Sequence, residues 1–302
     1  MELEIQNARP QTSDPAVGST ALLGSPTRIL SLGAGVQSST LALMAATGET
    51  EHRLAAAIFA DTQAEPASVY VWLDWLESEI KRSKYPYPVY RVTKGNLTET
   101  ALRMRQRPDR AGQWTKSLIP CYTLEPNGKK GHIQRACTYD YKLLELLKAQ
   151  RRIGKIKRGQ KTVGVISWIG ISLDEAHRMK PSREAWCEHE WPLIDAGMSR
   201  SDCLNWMEAH GYPKPPRSAC IYCPYHSDKE WLRLKTEEPA EFEKAVQFER
   251  DLQTTKAQTD NMRGVPYLHN SRIPLETVDF TTNAKGQHPD LFGNECEGLC
   301  GV

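Results

Sequence analysis

The first third of the chain predicts an α/β fold built on a mainly parallel sheet. Two observations carry this. Apolar segments at 29–32, 55–60 and 89–92 alternate with helix-forming stretches, a βαβαβ order. Such an order folds into parallel strands joined by right-handed crossovers. The first two segments also read as near-continuous apolar runs, as buried strands do. A length of 302 residues accommodates one large α/β domain, or one with a substantial appendage.

In chain order, residues 1–25 are polar and rich in Ser, Thr, Pro and Gly. They lack the apolar core of a signal peptide and read as a disordered tail. The first strand carries Ser31 and runs into Gly33, Ala34 and Gly35, small enough for a ligand to approach the backbone. Gln37, Ser38, Ser39 and Thr40 then open a helix. A strand, a small-residue turn and a helix N-terminus together make an anion site. The first helical N–H groups lack intrahelical partners, and the dipole favours negative charge. No Gly-Lys-Ser/Thr closes the loop, so it is not a Walker A sequence. The second strand ends in Asp61, a carboxylate at the carboxyl side of the sheet, where a ribose or base edge would be met.

The next helix places Val69, Trp72, Leu73 and Leu76 at core spacing, with Trp75 read as packing. From 95 to 134 the pattern loosens into a substrate-facing insertion, and a helix follows at 142–148. Residues 148–161 carry seven cations and no acid. Arg151, Arg152, Lys155, Lys157 and Arg158 in that run are the expected contacts to nucleic-acid phosphates. Residues 162–169 form a further buried strand ending in Gly170. Ser199 caps a helix that Gly211 stops, and 239–254 is an amphipathic helix that packs on the main domain or on a second copy. The expected division is a nucleotide-binding domain at 26–235, then a C-terminal helix and flexible tail at 236–302.

A formal net charge of +2 does not by itself argue for nucleic acid. No apolar run approaches the roughly 18 residues of a membrane span, so no membrane partner is expected. Eight cysteines without a secretion signal point to the cytoplasm, where cysteine clusters mean metal or redox chemistry. Cys220 and Cys223 stand at a spacing that brings two thiolates to one metal centre. The spacing also suits a redox pair, although Pro224 directly after it fits a cluster-binding loop better. Zinc accepts the same ligands.

The loop around Ser31 to Ser38, Asp61 with Thr62, then Gly170, Glu175 and Arg178, then Cys220 and Cys223 occur in an order that resembles the PAPS reductase family. That family belongs to the PP-loop superfamily of adenine nucleotide alpha hydrolases. The likeness covers about residues 28–231. Gln37 stands where the superfamily loop has Asp, and Ser172 where relatives carry an Arg. The resemblance implies a three-layer fold of the adenine nucleotide alpha hydrolase type, with a cysteine-bearing C-terminal region over its nucleotide edge. It implies ATP or another adenine nucleotide held by Ser31, Gly33, Ala34, Gly35, Gln37, Ser38, Ser39, Asp61 and Gly170. Arg178 would lie near the phosphates, and Mg2+ would neutralise them.

The same likeness implies a 4Fe–4S cluster on Cys137, Cys220 and Cys223. Either Cys203 is the fourth thiolate or one iron stays open, as in relatives that thiolate tRNA. The tail resembles the family's Glu-Cys-Gly-Leu-His ending, which makes Cys296 the sulfur nucleophile; Glu297 is inserted and Cys300 replaces the His. Cys296 and Cys300 as a redox pair is the alternative. The implied activity is adenylation of an acceptor, nucleic acid among the candidates, followed by thiolation. Alternatives are a Cys296-dependent reductase of an adenylyl sulfate, and a non-enzymatic nucleotide- or cluster-sensing module. A homodimer is a further expectation.

Overall fold

A computed structural model describes residues 25–106, 112–115, 118–259 and 263–281. Strand β1 (Thr27–Leu32) leads into α1 (Val36–Thr47), β2 (Ala56–Asp61), α2 (Ala67–Arg82) and β3 (Val89–Thr93). A region of short elements follows: α3 (Leu97–Leu102), β4 (Arg105–Gln106), β5 (Gln113–Trp114), β6 (Cys121–Leu124) and β7 (Lys130–Ile133). A π-helical turn at Thr138–Leu143 then feeds α4 (Leu144–Ile153), which returns the chain to β8 (Val165–Ile169) and β9 (Cys187–Glu190). The chain continues through α5 (Pro192–Asp195), α6 (Arg200–Ala209), α7 (Asp228–Glu237), α8 (Pro239–Ala257) and β10 (Val265–Tyr267).

Five strands form one parallel sheet in the order β3-β2-β1-β8-β9. The pleat sorts its side chains by a period of two. Leu30, Leu32, Ala57, Phe59, Ile166 and Trp168 face a core shared with α1, α2 and α6. Ile29, Ile58, Ala60, Val165 and Ile169 face a second core shared with α4. Helices therefore cover both faces, a three-layer α/β arrangement. Each fully buried Leu, Ile or Phe contributes about 1.5–3 kcal/mol of transfer free energy. Val69, Trp72, Leu73 and Leu76 of α2 are all buried.

A third core lies beyond the carboxyl end of β2. It joins Ala64, Leu97, Ile119 and Tyr141 to Ile221, Tyr222 and Trp231, and to α8 through Phe242, Ala245, Val246, Phe248 and Leu252. This second lobe is built from two separated stretches and runs straight through position 235, because α7 and α8 pack on each other. The division expected there is not where this core parts. A small antiparallel sheet, β10-β6-β7, forms its outer wall. The expected tail with Cys296 and Cys300 lies outside the described residues. Among the described residues no helix is long and apolar enough to cross a membrane.

Candidate functional site

The strand order sets where a ligand site belongs. From β1 the chain moves outward through β2 to β3, then returns across β1 to β8 and β9. The order reverses between β1 and β8, and at such a switch point the loops beyond the strands' carboxyl ends part into a crevice. The loop after β1 and the loop after β8 meet there.

Ala34 turns the chain with φ +60, a left-handed conformation in which β1 hands over to α1. Gly35 is the extended N-cap. The Gly33 N–H donates to Ser38 Oγ at 3.1 Å, which ties the turn to the first helical turn. Gly170 presses against that turn, since a Cβ there would lie 2.7 Å from Ser38 Cα and 2.8 Å from its nitrogen. Only a glycine lets the end of β8 come so close. Gly33, Ala34 and Gly35 are buried, so the turn is closed rather than open to solvent.

The closure is polar. Gln37 Nε2 donates to Ser172 Oγ and to Glu175 Oε2, both at 3.3 Å. Arg200 Nη1 donates to Gln37 Oε1 at 2.7 Å, and the Arg200 N–H to Asp174 Oδ1 at 2.9 Å. Arg178 Nη1 pairs with Glu175 Oε1 at 2.6 Å. Partial burial works to raise the Asp174 carboxyl, but hydrogen bonds from Ser172 and Arg200 outweigh it and hold it below the usual range. Two guanidinium groups thus converge on the switch point. Arg178 was expected there; Arg200 was not, because a lone Arg behind a helix cap carries no signal of its own.

Other expected ligands sit elsewhere. Ser31 faces α4, where its hydroxyl meets Ser167 Oγ at 3.1 Å and Gln150 Nε2 at 3.4 Å. Ser39 accepts the Trp72 indole N–H at 3.0 Å inside the α1–α2 core. Asp61 closes β2, where its Oδ1 accepts from the Gln63 amide at 2.7 Å and the Tyr70 hydroxyl at 2.9 Å. Beside it, a groove of about 490 Å³ runs past Gln63, Tyr70, Tyr222 and Phe248 to Glu241 and Asp251.

Three of the expected thiols come together. Cys137, Cys220 and Cys223 line one small cavity with Thr62, Arg135 and Lys142. The cavity abuts the carboxyl edge of the parallel sheet, because Thr62 follows β2 and its Oγ1 lies 3.2 Å from Cys220 Sγ. Ile221 N–H donates to the Ala64 carbonyl at 2.9 Å and locks the cysteine loop to the same strand end. Below it, Lys142 Nζ pairs with Glu65 Oε1 at 3.1 Å, almost wholly shielded from water, and Ser218 donates to the other oxygen. Burial pushes the Cys220 thiol well above its usual range; Glu65 adds to this and Lys142 opposes it. His226 approaches the Cys220 carbonyl oxygen at 3.0 Å through Nε2. Burial, with Arg217 nearby, lowers its pKa to about 3, so it is a neutral imidazole.

Cys203 is not part of this group. It is fully buried in the core between α1 and α6, where its carbonyl accepts from Thr40 Oγ1 at 3.4 Å. The cavity volume is about 20 Å³, room for little more than one water molecule. Among the described residues no group of three or more His, Cys, Asp or Glu side chains is placed to hold a metal ion. The thiols have the softness an iron–sulfur cluster needs, and a cluster there would need more room than this cavity gives.

The basic run at 148–161 lies at the other end of the sheet. It spans the second half of α4 and the loop that returns the chain to the amino end of β8, where Thr27 N–H bonds the Gly164 carbonyl. Arg151 there pairs with Glu184 and covers the Trp186 ring. No protein-family model matches the chain, and no curated protein is similar enough to be matched. The fold is one compatible with nucleotide binding.

Proposed function

We propose that the protein is an adenine-nucleotide-dependent sulfur-transfer enzyme of the PP-loop type. One observation carries this reading: a thiol-lined cavity and a switch-point turn share the carboxyl edge of one parallel sheet, with Thr62 at the join. The nucleotide's phosphates would take the first amides of α1, helped by Arg178 and Arg200, and its nucleoside end the groove beside Asp61. Entry requires the bonds of Gln37 to Ser172, Glu175 and Arg200 to open, and the negative phosphates offer the two arginines a replacement for the carboxylate and amide they hold.

In the reaction an acceptor oxygen attacks the α-phosphorus and pyrophosphate leaves. The outer sulfur of a cysteine persulfide, loaded by an external persulfide donor, then attacks the carbon bearing the activated oxygen, forming C–S and expelling AMP. A second cysteine thiolate cleaves the acceptor–S–S–Cys bond, freeing the thiolated acceptor and leaving a protein disulfide for an external thiol to reduce. Gln37 supplies no carboxylate for Mg2+, and Arg178 and Arg200 are the chain's own cations near the phosphates. Cys137, Cys220 and Cys223 are the candidate sulfur carriers; a cluster would have to widen their cavity, and no step is routed through one.

The test is AMP and pyrophosphate formation by anaerobically purified protein against a panel of acceptors, with iron and sulfide quantified. Arg200→Ala is expected to weaken ATP binding about tenfold or more, the worth of one charge-assisted hydrogen bond. Retained AMP formation in Cys296→Ser supports adenylation; loss of all turnover points to the reductase. Unchanged ATP affinity in Arg200→Ala, with no AMP from any acceptor, overturns the reading.

A further inference from the structure

The outer wall of the second lobe has a feature the proposed reaction does not use. Register places Tyr267, Tyr122 and His132 opposite one another across β10, β6 and β7. Directly opposed residues share a face of the sheet. On the other face Cys121 and Thr123 are buried, so the aromatic row looks outward. Tyr122 and His132 meet edge to face at 5.4 Å between centroids, and His132 meets Tyr225 at 6.0 Å. Arg272 lies over Tyr122 at 5.4 Å and Arg135 over Tyr225 at 5.3 Å. The Arg272 guanidinium is held by the carbonyls of Thr123, Asn270 and Gly131, which fix it without cancelling its charge. Lys129 and Lys130 are exposed at the hairpin, and Glu125 opens its turn. The array borders the thiol cavity, for Arg135 lines both.

We propose that this face is a platform for a single-stranded segment of nucleic acid, whose unpaired bases stack on Tyr122, His132 and Tyr225 beside the three thiols. Rings alternating with guanidinium groups suit partners that carry both π-faces and negative charge along one strand. An acidic peptide would use the charges and leave the rings without a counterpart. A duplex would hide its base faces. That the strand is the acceptor of sulfur rests on the proposed function; that it binds here does not.

The experiment uses the full chain and fluorescence anisotropy with labelled short single-stranded RNA, single-stranded DNA, a duplex and a poly-glutamate peptide. Single strands are expected to bind best and to weaken as salt rises. His132→Ala and Tyr225→Ala should each weaken binding about fivefold to a hundredfold, the range for removing a base-stacking ring. Circular dichroism and thermal midpoints check that these substitutions leave the fold intact. A triple Ala variant at Lys155, Lys157 and Arg158 should leave affinity within about twofold, because those charges sit at the far end of the sheet.

Binding of duplex or poly-glutamate as tight as that of single strands overturns the platform, as does indifference to both ring deletions. Loss of binding in the triple variant overturns it too. AMP formation with a small acceptor, measured in parallel, separates the two readings. If it persists while no strand binds, the platform alone fails. If strands bind and are sensitive to the ring deletions while ATP is never cleaved, the platform stands and the proposed reaction fails.

Discussion

Lys256 carries its ammonium into the second lobe, on the last turn of α8, with no hydrogen-bond partner for Nζ among the described residues. Burial lowers its pKa, and the nearby Cys121 opposes the shift. A base whose folded pKa is depressed leaves the unfolded state holding more protons below 10.5, so stability rises with pH up to that value. Lys256→Met is therefore expected to stabilise the protein at pH 7 by about 1–3 kcal/mol, the cost of an unsatisfied buried polar group. The gain should shrink as pH approaches 10.5. Urea midpoints at pH 7 and pH 10 check this; an equal gain at both would show that packing, not charge, sets the difference. Residues of this kind also mark how far the site was readable in the sequence. Gly170 and Arg178 were expected at the strand end from the family resemblance, and Cys220 with Cys223 because four-residue spacing is chemical information. Ser31, Ser39 and Cys203 have the right chemistry in the wrong direction, since a hydroxyl or thiol can equally satisfy a core, and only packing tells which.

Among the elements, α6 connects stability to the site. Ser199 accepts from the Asp202 amide while Asp202 accepts from the Ser199 amide, a complete capping box. Hydrogen bonds to Ser199 hold the exposed Asp202 carboxyl below its usual range. This cap sets Arg200, the first helical residue, against Gln37. Ser199→Ala is expected to cost about 1 kcal/mol of stability and, by freeing the first turn, to weaken ATP binding as Arg200→Ala does, only less. Chemical denaturation and a nucleotide titration on the same variant check both halves; a stability loss with ATP affinity untouched would detach the cap from the site. The cap was legible, as were β1, β2, β3 and β8, because apolar runs and Ser-x-x-Asp are local signals. Strand β9, Cys-Glu-His-Glu in sequence, was not, for an edge strand held by β8 alone needs no apolar run. The sheet β10-β6-β7 joins β10 to β6 across some 140 positions in only three residue pairs, a pairing no local pattern announces.

Across the molecule, the two lobes meet at the carboxyl end of β2 and little of that junction is apolar. Lys142 and Glu65 form its buried ion pair, Thr62 meets Cys220, Ile221 bonds Ala64, and Ser68 of α2 donates to Glu238 at 2.9 Å. Breaking one partner of a buried pair costs about 3–5 kcal/mol, because the other charge is left without compensation. Lys142→Met should impose that cost at the junction, whereas Lys142→Met with Glu65→Leu should recover much of it by removing both charges. Tryptophans report each side: Trp72 and Trp168 lie in the sheet cores, Trp231 in the second lobe. In the native chain, fluorescence and far-ultraviolet circular dichroism should unfold together in one transition, the behaviour of coupled lobes. In Lys142→Met the Trp231 signal should change first, at lower denaturant than the sheet's signals, with the thiols reacting faster toward a thiol reagent over the same range. A single coincident transition in that variant would mean the lobes are held by contacts other than the ion pair, and that the thiol cavity keeps its place beside the carboxyl edge of the sheet without it.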